Sequence, residues 1–95
     1  MKPEQMNQAL EAAATQLGVR VRYEALTTGA MAAAGGLCRI KGNWCVIIDK
    51  KTSAAERTTI LAEALANFDT ESVFLPPKVR EIVQLHRQAR PTPSP

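Results

Sequence analysis

Leu37-Cys38-Arg39-Ile40-Lys41-Gly42-Asn43-Trp44-Cys45-Val46-Ile47-Ile48-Asp49 is the stretch that decides the fold. Two short apolar runs, 37–41 and 44–49, flank Gly42-Asn43, and a two-residue Gly-Asn connection supplies the backbone freedom that a tight hairpin needs. The stretch reads as a β-hairpin turning on Gly42-Asn43. With that turn Lys41 lies opposite Trp44, Ile40 opposite Cys45, Arg39 opposite Val46 and Cys38 opposite Ile47. One face then holds Cys38, Ile40, Cys45 and Ile47. The other holds Leu37, Arg39, Lys41, Trp44, Val46 and Ile48.

Working outward, Val19 to Tyr23 alternates apolar and polar and predicts a strand over 19–23. Before it, Met6, Leu10, Ala13 and Leu17 recur at helical spacing after Pro3 and stop at Gly18, which predicts a helix over about 3–17. Between strand and hairpin, residues 24–36 mix Gly, Thr and Ala without an apolar period and read as a long mobile loop. After the hairpin, Ser53-Ala54-Ala55-Glu56 is a capping box that opens a helix over about 54–68. Residues 72–75 read as a short extended piece. Pro76-Pro77 forbids helix before it and suits a start after it, giving a third helix over about 77–89. Residues 91–95, PTPSP, read as a disordered Pro-rich tail beyond a single domain of 1–90. This order, with no strand-helix-strand alternation, predicts an α+β fold in which helices cover one face of a three-stranded antiparallel sheet.

The hydrophobic fraction is 45% of the 95 residues, but fifteen of these are alanine and only four are aromatic: Tyr23, Trp44, Phe68 and Phe74. A core built from them is modest, and a partner surface is expected. Net charge is +3 with no run of like charge, which permits a polyanionic partner without requiring one. There is no apolar stretch of membrane-spanning length and no apolar segment near the N-terminus that resembles a signal peptide. The expectation is a cytoplasmic protein without a membrane role.

If Val19, Val21, Tyr23, Cys38, Ile40, Cys45 and Ile47 face the helices, the outer face gathers Arg20, Arg22, Arg39 and Lys41 around Trp44. Such a half-basic, half-apolar face has two readings. The first is that Trp44, Val46 and Ile48 are covered, either by the loop from Glu24 or at a protein interface through which the chain self-associates as a homodimer or binds another protein, with Trp44, Val46, Ile48, Leu37 and His86 as contacts. The second is a small nucleic-acid-binding module in which Arg20, Arg22, Arg39 and Lys41 neutralise phosphates and Trp44 stacks on a base. Ala55, Thr59, Ala62 and Ala66 form a small-residue stripe suited to close packing against the first helix.

Enzymatic chemistry finds no support. Cys38 and Cys45 sit diagonally in this register, which favours two buried, reduced thiols over a disulfide. With His86 they leave a fourth metal ligand unfilled, so neither metal nor cofactor is expected. Gly35-Gly36 leads into a strand, whereas phosphate cradles lead into helices.

The run 45–49, Ala55-Glu56-Arg57 and 60–66 resembles the core of the ImmA/IrrE-type bacterial metallopeptidases. There a strand and loop lead into a helix bearing His-Glu-x-x-His, whose histidines bind zinc and whose Glu activates water. Here the two histidine positions are Ala62 and Ala66, and only Glu63 matches. The resemblance implies a related scaffold, a degenerate and catalytically inactive relative. The stretches 35–39, GGLCR, and 75–81, LPPKVRE, also resemble a family of small uncharacterised bacterial proteins, which implies no activity.

Overall fold

The computed structural model describes residues 2–25 and 35–89. In chain order they form α1 (Pro3–Gln16), β1 (Arg20–Glu24), β2 (Gly35–Ile40), β3 (Asn43–Asp49), α2 (Ala54–Leu65) and α3 (Pro77–Ala89). The class is α+β, as the order of elements predicts. The expected tail at 91–95 lies outside the described residues. So does the interior of the expected loop, whereas its ends, Glu24 and Gly35-Gly36, belong to strands.

Each helix end has a local cause. Pro3 starts α1, and Gly18, at φ 78, ends it. There Val19 N–H donates to Ala14 O at 2.8 Å and Gly18 N–H to Thr15 O at 3.0 Å, which satisfies carbonyls that the helix leaves open. At the start of α2, Glu56 N–H donates to Ser53 Oγ at 3.1 Å while Ser53 N–H donates to Glu56 Oε1 at 3.0 Å, the reciprocal box that the spacing predicts. These bonds stabilise the ionised Glu56 carboxyl and hold it below its usual range. α2 stops at Leu65, earlier than 68, because the Asn67 amide turns back to donate to Glu63 O and Ala64 O. α3 is tied to this end by Arg87, which donates to Ala66 O at 3.3 Å and Phe68 O at 2.8 Å.

The strand order is β1-β3-β2, with β3 parallel to β1 and antiparallel to β2. The sheet is therefore mixed, which corrects the antiparallel expectation. β3 is the most continuously apolar strand, and the central position buries it from both sides while the shorter β1 and β2 take the edges. A second correction concerns the hairpin. Its turn is Lys41-Gly42, at φ 51 and 82, and both central residues take positive φ as the tight primed turns require. Ile40 then pairs with Asn43, Arg39 with Trp44, Cys38 with Cys45 and Leu37 with Val46. The cysteines are thus directly opposite rather than diagonal.

A third correction concerns which face the helices cover. Val46 and Ile48, both 0% exposed, join Leu10, Ala13, Val19, Leu61, Leu65, Val79 and Val83 in one core, with Val21, Tyr23 and Leu37 packed against it. Cys45 and Ile47 lie on the other face, outside this core, with Cys38 and Ile40 beside them. The larger aliphatic pair of β3 goes under the helices, because burying it removes more apolar surface from water. Gly35 is a strand residue for a steric reason: a Cβ there would stand 2.0 Å from Ile47 O, and its φ of 125 is closed to side chains.

The α1–α2 contact has a polar pin. Asn7, buried on α1, donates to Ala54 O at 3.1 Å and accepts from Thr58 Oγ1 at 2.6 Å, while Ala62 and Ala66 lie buried among the core residues. Ala55 and Thr59, the other half of the expected stripe, are exposed. Residues 72–75 form no strand, but Val73 and Leu75 plug the core.

Candidate functional site

Alternation along β1 points Val21 and Tyr23 toward the core and leaves Arg20 and Arg22 on the outer face. Pairing with β3 puts Arg20 beside Cys45 and Arg22 beside Ile47. Across β3, β2 adds Gly36, Cys38 and Ile40 to the same face. The outer face is thus a central apolar stripe with two cations along one edge. Arg22 pairs with Glu24 at 2.7 Å, an exposed bridge that contributes little to stability. At the hairpin end of this face lies an open depression of about 290 Å³, lined by Gly18, Arg20, Arg22, Ile40, Lys41, Asn43, Trp44 and Cys45. Three cations and no carboxylate border it.

The nucleic-acid set is therefore divided. Arg20, Arg22 and Lys41 share the depression, but Arg39 projects from the helix-facing side of β2, opposite Trp44. Its guanidinium lies 5.2 Å from the Trp44 ring centroid and donates to Gly42 O at 3.3 Å. Phe68 packs edge-on against the same indole with centroids 5.6 Å apart. Trp44 is still 37% exposed, yet Arg39 already lies over its ring and Phe68 against it. It is a bracketed ring and not an open stacking platform.

The expected interface set is divided too. Val46 and Ile48 are core residues, and Leu37 packs against the core, so none of the three is on the outer face. His86 is half-buried on α3. Among the described residues the large apolar side chains that face solvent are Ile40, Trp44, Phe74 and Leu85. Phe74, at 76% exposed, fills no core, contrary to its expected use. Leu75, restricted by the following Pro76, takes the core position instead, and periodicity in so short a segment carries no signal for where the Phe74 ring points.

A further cluster escapes sequence reasoning because it joins three elements. Tyr23 OH donates to Glu11 Oε2 on α1 at 2.5 Å, and the Arg57 guanidinium lies 4.9 Å from the Tyr23 ring centroid. Arg57 also donates to Thr52 Oγ1 at 3.1 Å and Lys50 O at 2.8 Å. Burial first, and the bond to the Glu11 carboxylate second, push the Tyr23 phenol up to about 12. A phenol held protonated this firmly is a strut between α1 and β1. It is poorly suited to give up a proton at neutral pH.

The positions matched to the metallopeptidase helix do not converge. Ala62 and Ala66 are buried in the core, whereas Glu63 is exposed beside a shallow depression lined by Gly35, Gly36, Leu37, Ile60, Ala64 and Asn67. Among the described residues no three of His, Cys, Asp or Glu gather closely enough to hold a metal ion. None of their helices is long and apolar enough to cross a membrane. Compared with protein-family models, with curated proteins and with solved structures, the chain has no match in any of the three.

Proposed function

We propose that this chain is a non-enzymatic protein that self-associates through the outer face of its sheet. One observation carries the reading: β3 is apolar on both faces, while the helices cover only one of them. A strand with one side to water normally alternates apolar with polar, and a strand apolar on both sides belongs between two layers. On that outer face Cys45 and Ile47 are already only 4% and 9% exposed, and Ile40, 40% exposed beside them, is the apolar side chain that a second copy would cover. Along β1 the same face carries Arg20, Arg22 and Glu24, so a twofold axis can set Glu24 of one copy against the cations of the other. The two free cysteines support a reducing compartment such as the cytoplasm. Sedimentation equilibrium over a wide concentration range tests the reading: the wild type is expected to rise from monomer toward dimer mass, and Ile40→Glu to remain monomeric. A wild type that stays monomeric throughout overturns it.

A second reading rests on the three cations around the depression beside the hairpin turn. There the chain binds a polyanion such as single-stranded RNA, with Arg20, Arg22 and Lys41 as phosphate contacts. Affinity would fall steeply with salt, with a log–log slope of about −0.7 per phosphate contact for single strands. Unchanged affinity in Arg20→Glu plus Lys41→Glu removes this reading.

A further inference from the structure

Cys38 and Cys45 are direct cross-strand partners on one face of the sheet. Directly opposed residues of an antiparallel pair have Cα atoms about 4.5 to 5.5 Å apart, inside the roughly 4.4 to 6.8 Å range that a disulfide spans. Both cysteines are free, and the two differ in access: Cys38, on edge strand β2, is half-exposed, whereas Cys45, on central β3, is 4% exposed. We propose that Cys38 and Cys45 form a peroxide-responsive dithiol, in which Cys38 is the reacting thiol and Cys45 the resolving one, closing a reversible disulfide within one chain. The disulfide closes within one chain, but Cys38 lies on the face that self-association would cover, so the reaction belongs to the dilute monomer.

The chemistry follows from the asymmetry. Burial, and then the Cys38 thiol beside it, push the Cys45 thiol up, with the Arg22 guanidinium acting weakly in the opposite direction. Cys45 therefore keeps its proton and stays in reserve, while the half-exposed Cys38 meets the reagent. Cys38 loses its proton to solvent and its thiolate attacks one oxygen of hydrogen peroxide. The S–O bond forms as O–O breaks, sulfur loses two electrons, and the departing hydroxide takes up a proton to become water. The Cys45 sulfur then attacks the sulfur of the Cys38 sulfenic acid. The S–S bond forms as S–O breaks, and the leaving hydroxide takes the Cys45 proton to give a second water. The sum is two thiols and one peroxide converted to one disulfide and two waters. A dithiol reductant reverses it by two exchange steps. Because the partners already share a ladder position, closure needs no strand to move.

The sequence makes the test unambiguous, because trypsin cleaves after Arg39 and Lys41, between the two cysteines. Reduced full-length protein, dilute, is treated with hydrogen peroxide and digested without reductant. The expected result is an intact monomer lighter by two hydrogens, with peptide 23–39 joined to peptide 42–50 and the join released by dithiothreitol. Cys45→Ser is expected to lose the cross-link and to gain oxygen at Cys38 instead. Cys38→Ser, altered at the more accessible position, is expected to leave Cys45 largely unoxidised at the same dose. Oxygen added to wild-type Cys38 without the cross-link, disulfide-linked dimers in place of the internal bond, or faster oxidation of Cys45 in Cys38→Ser each overturns the proposal.

Discussion

Ile47 and Ile48 are adjacent in β3 and chemically identical, yet they sit in different worlds. Ile48 lies under the helices with Val46, at the centre of the core, while Ile47 lies with Cys45 on a face that none of the described helices covers. The contrast teaches that burial within one layer and burial between layers are separate matters. The helix-facing side of the sheet is closed by this chain's own α1 and α2, with α3 packed against those two helices. Among the described residues the outer side is bordered by Arg20, Arg22, Cys38 and Ile40 and has no helix over it.

The sharpest way to break this comparison is truncation on both faces. Ile48→Ala is expected to cost about 2 to 5 kcal/mol in urea unfolding, the range for a large aliphatic removed from a packed core. Ile47→Ala, measured on dilute protein, is expected to cost clearly less, and equal costs would mean that the two faces are equally closed within one chain. Gly35→Ala comes next. It forces both a closed φ and a clash with Ile47 O, so the loss should exceed about 1 kcal/mol in the same assay. Ser53→Ala, at the cap of α2, is expected to cost about 1 kcal/mol. Smallest is Ile40→Glu on the outer face, within about 0.5 kcal/mol for the dilute chain, although it removes self-association.

Alkaline pH probes the helix-facing side alone. Folding raises the Tyr23 phenol from its ordinary value of 10 to about 12, so the folded state favours the protonated form. That stabilisation is fully present below pH 10 and is lost as pH rises from 10 toward 12. Urea unfolding across this window is expected to show a decline that Tyr23→Phe lacks. An identical decline in the variant would assign the effect to other groups.

Much of the architecture was legible because local chemistry enforced it. Gly18 stops α1, the Ser53–Glu56 box starts α2, and Pro77 starts α3, each where the residue pattern places it. The hairpin was visible, but its turn lay one residue earlier, since a lysine at positive φ carries none of the signature that Gly or Asn does. That single step brought Cys38 opposite Cys45 and made the dithiol visible only in the folded chain. The parallel pairing of β1 with β3 was hidden because no local signal in residues 24–36 says which strand β1 joins. The covered face was not legible for a different reason: β3 is apolar on both faces, so alternation along it does not say which side the helices take. In the fold Arg39 lies over Trp44 at the hairpin end while Val46 and Ile48 deeper along β3 are buried. The outer-face site was therefore partly readable: Arg20, Arg22, Lys41 and an edge of Trp44 border one depression, whereas Arg39 does not and the Trp44 ring is taken up by Arg39 and Phe68.

The central claim is that a second copy covers the outer face, and isotope-filtered NMR on a mixed sample of labelled and unlabelled chains tests it most directly. The account predicts contacts between chains at the methyl groups of Ile40 and Ile47 and none at Ile48. Contacts between chains confined to Phe74 or Leu85, or none at concentrations where the mass is that of a monomer, would contradict it.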